Sequence, residues 1–139
     1  MIPCANPLAQ YLSNRDKIDS AIQNVLENGW YILGKEVESF EKEFAKYNEV
    51  SHAIGVGSGT EALHIALRAL DIGPGDEVIT TAHTAVATVT SIVMSGAKPV
   101  FVDIESEFFT IDPDLIEEAI TLRTKAIIPV HIYGQPCDM

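Results

Sequence analysis

Apolar and polar residues follow two different rhythms along this chain, and the change falls after Asn48. Ile18, Ile22, Val25 and Leu26 recur at the spacing of one helical face until Asn28-Gly29 stops the run. Ser13 followed by Asp16 resembles a capping box, which predicts that the helix begins there. Trp30 to Gly34 form a short apolar connector. A second helix is then expected, with Val37, Phe40 and Phe44 on one face and Glu36, Glu38, Glu41, Lys42 and Glu43 on the solvated side.

Beyond Asn48, four short apolar runs at residues 52–56, 77–80, 99–102 and 125–130 read as buried strands. Helical patterns at 60–70, 85–95 and 112–120 separate them, the last with Asp112 as N-cap and Pro113 in the first helical position. Gly73-Pro74-Gly75-Asp76 and Ser95-Gly96 punctuate the returns from helix to strand. Alternation of this kind requires right-handed crossovers, so the expected fold class is α/β, a mostly parallel sheet flanked by helices. The expected organisation is a helical segment over 1–50 and an α/β domain over 51–139. The last strand runs into Gly134-Gln135-Pro136 with no helix to cover it, so the domain is expected to be incomplete at Met139.

Composition narrows the partners. The 139 residues suit one domain, and 47% hydrophobic with 21% charged residues is ordinary for a globular chain. A net charge of −11 repels nucleic-acid backbones and anionic membranes, so neither is an expected partner. Cys4 and Cys137 form no CxxC or zinc-type pair, and a reducing compartment is the default. No apolar run approaches the roughly 18 residues a membrane span needs, and Asn14, Arg15, Asp16, Lys17 and Asp19 stand where a signal peptide would be apolar, so a cytoplasmic protein is expected.

The sharpest candidate for chemistry is Gly55-Val56-Gly57-Ser58-Gly59-Thr60, glycine-rich and leading straight into an apolar helix. Backbone N–H groups at a helix N-terminus favour a phosphate, though glycines also serve a tight turn with no ligand at all. A Walker A loop is excluded, because no lysine lies between Lys46 and Lys98. A dinucleotide fingerprint does not fit either: the spacing is GxGxG, and the available acid, Glu77, opens a strand instead of closing one. His52, His64, His83 and His131 show no metal-binding spacing, and no metal is expected. His83, His131 and Asp103 fall at the carboxyl ends of predicted strands, the rim where open α/β sheets bind ligands, and each is equally explained as a loop hydrogen-bonding group.

Taken in order, GWYILGKEVESFEKEFAKY, VGSGTEALHIAL, IGPGDEVITTAHTAVATV, AKPVFVDIE, IDPDLIEEAI and TKAIIPVHIYGQPCDM resemble the DegT/DnrJ/EryC1/StrS sugar aminotransferases. The resemblance implies the amino-terminal part of the aspartate aminotransferase-like large domain (pyridoxal 5′-phosphate, or PLP, fold type I). It implies that Ser58, Gly59, Thr60 and Glu61 hold the PLP phosphate, largely through the N–H groups of Thr60 and Glu61. The family usually carries an aromatic at the position of Ala85; in its absence His83 becomes the candidate to cover the pyridine ring. The implied reaction moves an amino group from an amino-acid donor, glutamate, to a nucleotide-linked keto-sugar, a dTDP-3-keto-6-deoxyhexose, in amino-sugar and polysaccharide biosynthesis, within a homodimer. Trp30, Tyr31 and Ile32 are implied to lie close to the sugar, with helix packing as their alternative role. The aspartate that pairs with the pyridine nitrogen and the Schiff-base lysine are implied beyond Met139, so this chain alone is expected to be inactive. Lys98 and Lys125 precede strands and belong to the opposite rim. Two other readings remain at this point: a PLP-dependent keto-sugar dehydratase, and a noncatalytic α/β binding domain.

Overall fold

A computed structural model describes residues 5–139, which leaves Cys4 outside the described residues. The chain divides into two compact units, Met1–Gly55 and Val56–Met139.

The first unit is helical: α1 (Pro7–Ser13), α2 (Arg15–Asn28) and α3 (Lys35–Tyr47). Helix α1 escaped the sequence reading. Asn6 starts it by accepting the Ala9 N–H on its side chain, and Pro7 at the first turn loses nothing by lacking a donor. The expected capping box at Ser13 is therefore not formed. Ser13 closes α1, its hydroxyl donates to the Gln10 carbonyl at 2.9 Å, and Asn14 precedes α2. Gly29 ends α2 in the left-handed region (φ 67°), its N–H bonded to the Val25 carbonyl. The amphipathic pattern is real but unspent here: Ile22, Leu26, Phe40 and Phe44 remain exposed, and Phe40 stacks on Phe44 with ring centroids 5.5 Å apart.

The second unit carries α4 (Gly59–Ala69), β1 (Glu77–Thr81), α5 (Val86–Ser95), β2 (Lys98–Val102), a 3-10 turn (Pro113–Leu115) leading into the single turn α6 (Ile116–Ala119), and β3 (Thr124–Ile127). The strands form a parallel sheet in the order β2-β1-β3. Strand β1 lies at its centre and is buried along its whole length, as expected of a parallel strand covered on both faces. Val78 points to a core made with Leu67, Ile72, Ile92 and Ala97 under α4 and α5. Ile79 points the other way, to Val102, Ile111 and Cys137, against which Ile116 and Ala119 of the α6 region pack.

Three further expectations are corrected. Residues 52–56 form no strand: Ile54 is 79% exposed, and the Gly55 N–H goes to the Glu41 carboxylate at 2.7 Å. A strand needs a neighbour to complete its ladder, and the described residues offer this segment none. The helix expected over 112–120 shortens to the 3-10 turn and α6, although Asp112 caps it as expected by accepting the Asp114 N–H. Strand β3 ends at Ile127, three residues short of the expected end, where the backbone turns toward Tyr133. Among the described residues no helix is long and apolar enough to cross a membrane.

Candidate functional site

Connectivity sorts the second unit's loops onto two rims. Strands β1 and β3 are parallel neighbours, so the loops that follow them, carrying His83 and residues 131–137, leave the sheet at the same carboxyl end. Helix α5 starts at that end and finishes at Ser95-Gly96, just before β2 begins. Helix α4 finishes beside it: a Cβ on Gly73, just past its end, would stand 3.4 Å from the Ser95 carbonyl. The two helices therefore run in the same sense, both antiparallel to the strands, and their N-termini face the carboxyl rim. Thr60 and His83 accordingly share a side of the sheet.

The turn before α4 is built from its own side chains. Ser58 is the N-cap, and its hydroxyl accepts the Glu61 N–H at 3.2 Å. The Glu61 carboxylate reaches back to accept the Gly57 N–H at 2.8 Å, a reciprocal arrangement close to a capping box. The latch packs closely over Gly57: a Cβ there would meet the Glu61 carboxylate oxygen at 2.6 Å, and the carboxylate would have to shift. With Glu61's N–H taken by Ser58, the first-turn donors without an acceptor among the described residues are the N–H groups of Gly59 and Thr60. Thr60 is half-buried, and a Cβ on Gly59 would meet nothing within 4 Å. The dipole of an 11-residue helix adds positive potential at this point. Two unpartnered N–H groups, a hydroxyl and open space make a donor set that fits a phosphate.

His83 is half-buried, and its backbone N–H donates to Thr81 Oγ1 at 3.2 Å. Its ring meets Tyr133 edge-on, with centroids 6.0 Å apart and planes at 67°. Sequence reasoning passed over Tyr133, whose only signal was its place before Gly134 at the end of a strand. His131 folds its loop: Nδ1 accepts the Cys137 N–H at 3.0 Å, which puts the ring proton of a neutral imidazole on Nε2. Asp103 acts as a loop cap, accepting the Ile104 N–H at 2.8 Å. His64 is half-buried on α4 and His52 is exposed.

Trp30, Tyr31 and Ile32 belong to the first unit and fasten its connector. The Trp30 indole donates to the Ile32 carbonyl at 2.8 Å, and the Tyr31 hydroxyl to the Leu26 carbonyl at 3.2 Å. Their apolar surfaces stay exposed, and Trp30 lines a depression of about 250 Å³ with Val25, Asn28, Lys35 and Glu36.

At the opposite rim, a depression of about 280 Å³ is lined by Asp76, Glu77, Lys98 and Arg123, and Glu77 is paired with both cations. The Glu77 carboxylate is buried and accepts from Thr121 Oγ1 at 2.7 Å and from Arg123 Nε and Nη2 at 3.1 and 2.8 Å, with Lys98 Nζ 3.7 Å away. The Thr121 hydroxyl first, and then Arg123, hold its pKa below the ordinary glutamate value. Lys98 opens β2 on this rim, away from the α4 turn.

The model of the DegT/DnrJ/EryC1/StrS aminotransferase family matches residues 13–139. The chain belongs to this family. A dTDP-3-amino-3,4,6-trideoxy-alpha-D-glucose transaminase of Streptomyces venezuelae is 50% identical over 138 residues, 99% of this chain and 36% of its own length. A UDP-2-acetamido-2-deoxy-3-oxo-D-glucuronate aminotransferase of Pseudomonas aeruginosa is 52% identical over 124 residues, covering 89% of this chain and 34% of the relative. Among solved structures, S. venezuelae DesV in complex with a ketimine intermediate superposes with a TM-score of 0.95 at 50% identity, over 99% of this chain and 37% of that one. The PMP form of the sugar aminotransferase Spr1654 from Streptococcus pneumoniae gives 0.83 at 40% identity, over 86% and 30%. This member of the DegT/DnrJ/EryC1/StrS family thus spans about a third of these relatives' length and has the α/β architecture of the PLP-dependent aminotransferases.

Proposed function

We propose that the whole protein transfers an amino group from an amino-acid donor, glutamate, to the C3 keto carbon of a nucleotide-linked sugar, a dTDP-3-keto-6-deoxyhexose, with PLP as cofactor. The observation that carries this reading is the α4 turn, where the Gly59 and Thr60 N–H groups stand without acceptors in a chain of this family. Sugar C3 is the position named in the relatives from S. venezuelae and P. aeruginosa, and the dTDP carrier follows the first of them.

The residues of this chain divide the work. Gly59 and Thr60 hold the phosphate through their N–H groups, assisted by the helix dipole. Ser58 and Glu61 keep the turn in shape, Ser58 by capping and Glu61 by its latch to Gly57. His83 covers one face of the pyridine ring from the loop after β1. When bound, PLP would supply an aldehyde carbon to carry the nitrogen and a pyridine ring to act as electron sink. Trp30, Tyr31 and Ile32 offer apolar surface to the sugar nucleotide, and the whole protein works as a homodimer.

Titrating PLP into the purified chain, followed by its absorbance, tests the cofactor half: saturable binding that excess inorganic phosphate displaces is expected. The whole protein with glutamate and the dTDP-linked 3-keto-sugar should release 2-oxoglutarate. Release with the UDP-linked 3-keto-sugar alone would defeat the dTDP assignment.

A further inference from the structure

Tyr133 occupies a backbone position that suits glycine or asparagine better than a bulky ring: with Gly134 it forms the centre of a tight turn from Ile132 to Gln135 that requires a positive φ at both. Its backbone lies in the left-handed region (φ 53°, ψ 20°), a genuine outlier for a bulky side chain, and its residue is 90% exposed, so burial does not compensate the strain. The surroundings keep it there. At one end of the loop Cys137 is buried, its N–H donates to His131 Nδ1 at 3.0 Å and its thiol to the Val130 carbonyl at 3.2 Å. Inside it, the Gly134 and Gln135 N–H groups bond back to the His131 and Ile132 carbonyls at 3.2 and 2.9 Å. The aromatic neighbour of its ring is the His83 imidazole, edge-on with centroids 6.0 Å apart. A positive φ is shared by Leu33, Glu49, Asp71 and Phe109; what sets Tyr133 apart is that its turn lies at the ligand-binding rim of a parallel sheet and sets its ring beside the His83 ring.

We propose that Tyr133 is a positioning residue that fixes the His83 imidazole in the orientation in which it covers the pyridine ring; this rests on the reading of His83 given above. An imidazole at the end of a loop turns about two side-chain bonds, and a ligand that must stop this rotation binds more weakly for it. The edge-on contact restrains the ring in advance. Because the planes stand at 67°, Tyr133 occupies at most one face of the imidazole and leaves the other for a planar ligand.

The test uses Tyr133→Phe, which keeps the ring, and Tyr133→Gly, which removes it and accepts a φ of 53° without strain. Tyr133→Gly should keep or raise the unfolding midpoint, move the His83 ring-proton resonances toward those of an unrestrained histidine, and weaken PLP binding by about three- to tenfold. Tyr133→Phe should leave the resonances and the affinity within about twofold of wild type. With His83→Ala already in place, Tyr133→Gly should have no further effect on PLP affinity. Unchanged His83 resonances in Tyr133→Gly, wild-type PLP affinity in that variant, or an equal loss in the His83→Ala background would each overturn the proposal. A wild-type chain that binds no PLP would instead defeat the functional reading, and the resonances would still decide whether the two rings are coupled.

Discussion

The two ends of the sheet are built to opposite rules. At the amino end, polar groups are paired and the turns interlock. Glu77 gathers Thr121, Arg123 and Lys98, and its own N–H donates to the Arg123 carbonyl at 2.8 Å. Asp76 accepts the Gly73 N–H at 3.0 Å and ties down Lys98 through its carbonyl at 2.9 Å. Gly96 (φ 89°) lies so near Pro74 that a Cβ would come within 2.9 Å of its ring. At the carboxyl end, the Gly59 and Thr60 N–H groups lack acceptors among the described residues and Tyr133 is strained and exposed. Satisfied groups stabilise the fold, while donors left open at a helix N-terminus can serve a ligand. The contrast implies that substitutions at one rim change stability and leave the cofactor alone, and that those at the other do the reverse.

The largest expected effect is on binding. Gly59→Pro removes one N–H at the first helical position, where proline is well tolerated, and Ser58 is already extended (φ −162°, ψ 163°) as the residue before a proline must be. PLP affinity should fall about 10- to 100-fold, the worth of one hydrogen bond to a charged group, with little change in the unfolding midpoint. A Gly59→Pro chain that keeps its PLP affinity would remove this N–H from the site.

Next comes Glu77→Ala, which strips the amino rim of the group that gathers its donors. Thermal unfolding should shift down by on the order of 5 °C while PLP affinity stays unchanged. A loss of PLP binding in this variant at a temperature where it is folded would blur the division between the rims.

Ser58→Ala should register on both scales and so probes where the division fails. Losing the cap destabilises by about 1 kcal/mol, and loosening the turn should weaken PLP a few-fold. If calorimetry finds the fold unaffected, Ser58 is not the working cap.

The smallest effect concerns pH. Glu77 has a folded pKa below its ordinary value, so the stability it contributes is complete above that ordinary value and drains away as the pH falls below it toward the folded one. Wild type should therefore lose urea resistance on acidification more steeply than Glu77→Ala. Parallel acid profiles for the two proteins would show that other carboxylates carry the dependence.

How much of this was legible beforehand follows the range of the forces involved. The helices α2 to α5, the strands β1 and β2 and the Asp112 cap are written in local periodicity, N-cap and turn residues, and they stand within a residue or two of where the pattern put them. The glycine-rich turn was equally visible, since its glycines lead straight into an apolar helical run. The missed elements depended on neighbours. Residues 52–56 have a strand's composition, but composition does not provide a partner for the ladder. Helix α1 is the exception: its Asn6 cap and Pro7 are local signals, and they make Ser13 the end of one helix instead of the start of the next. Glu61 was marked for its N–H, and it took the folded turn to give that N–H to Ser58 and turn the carboxylate into a latch. The meeting of His83 with Tyr133 joins residues fifty positions apart in sequence. The sequence by itself determined the elements and the turn chemistry, because these arise from interactions among residues a few positions apart. Only the tertiary structure decided which donors were left over and which rings met, because parallel strands bring their carboxyl ends together across crossovers whose length no local pattern measures.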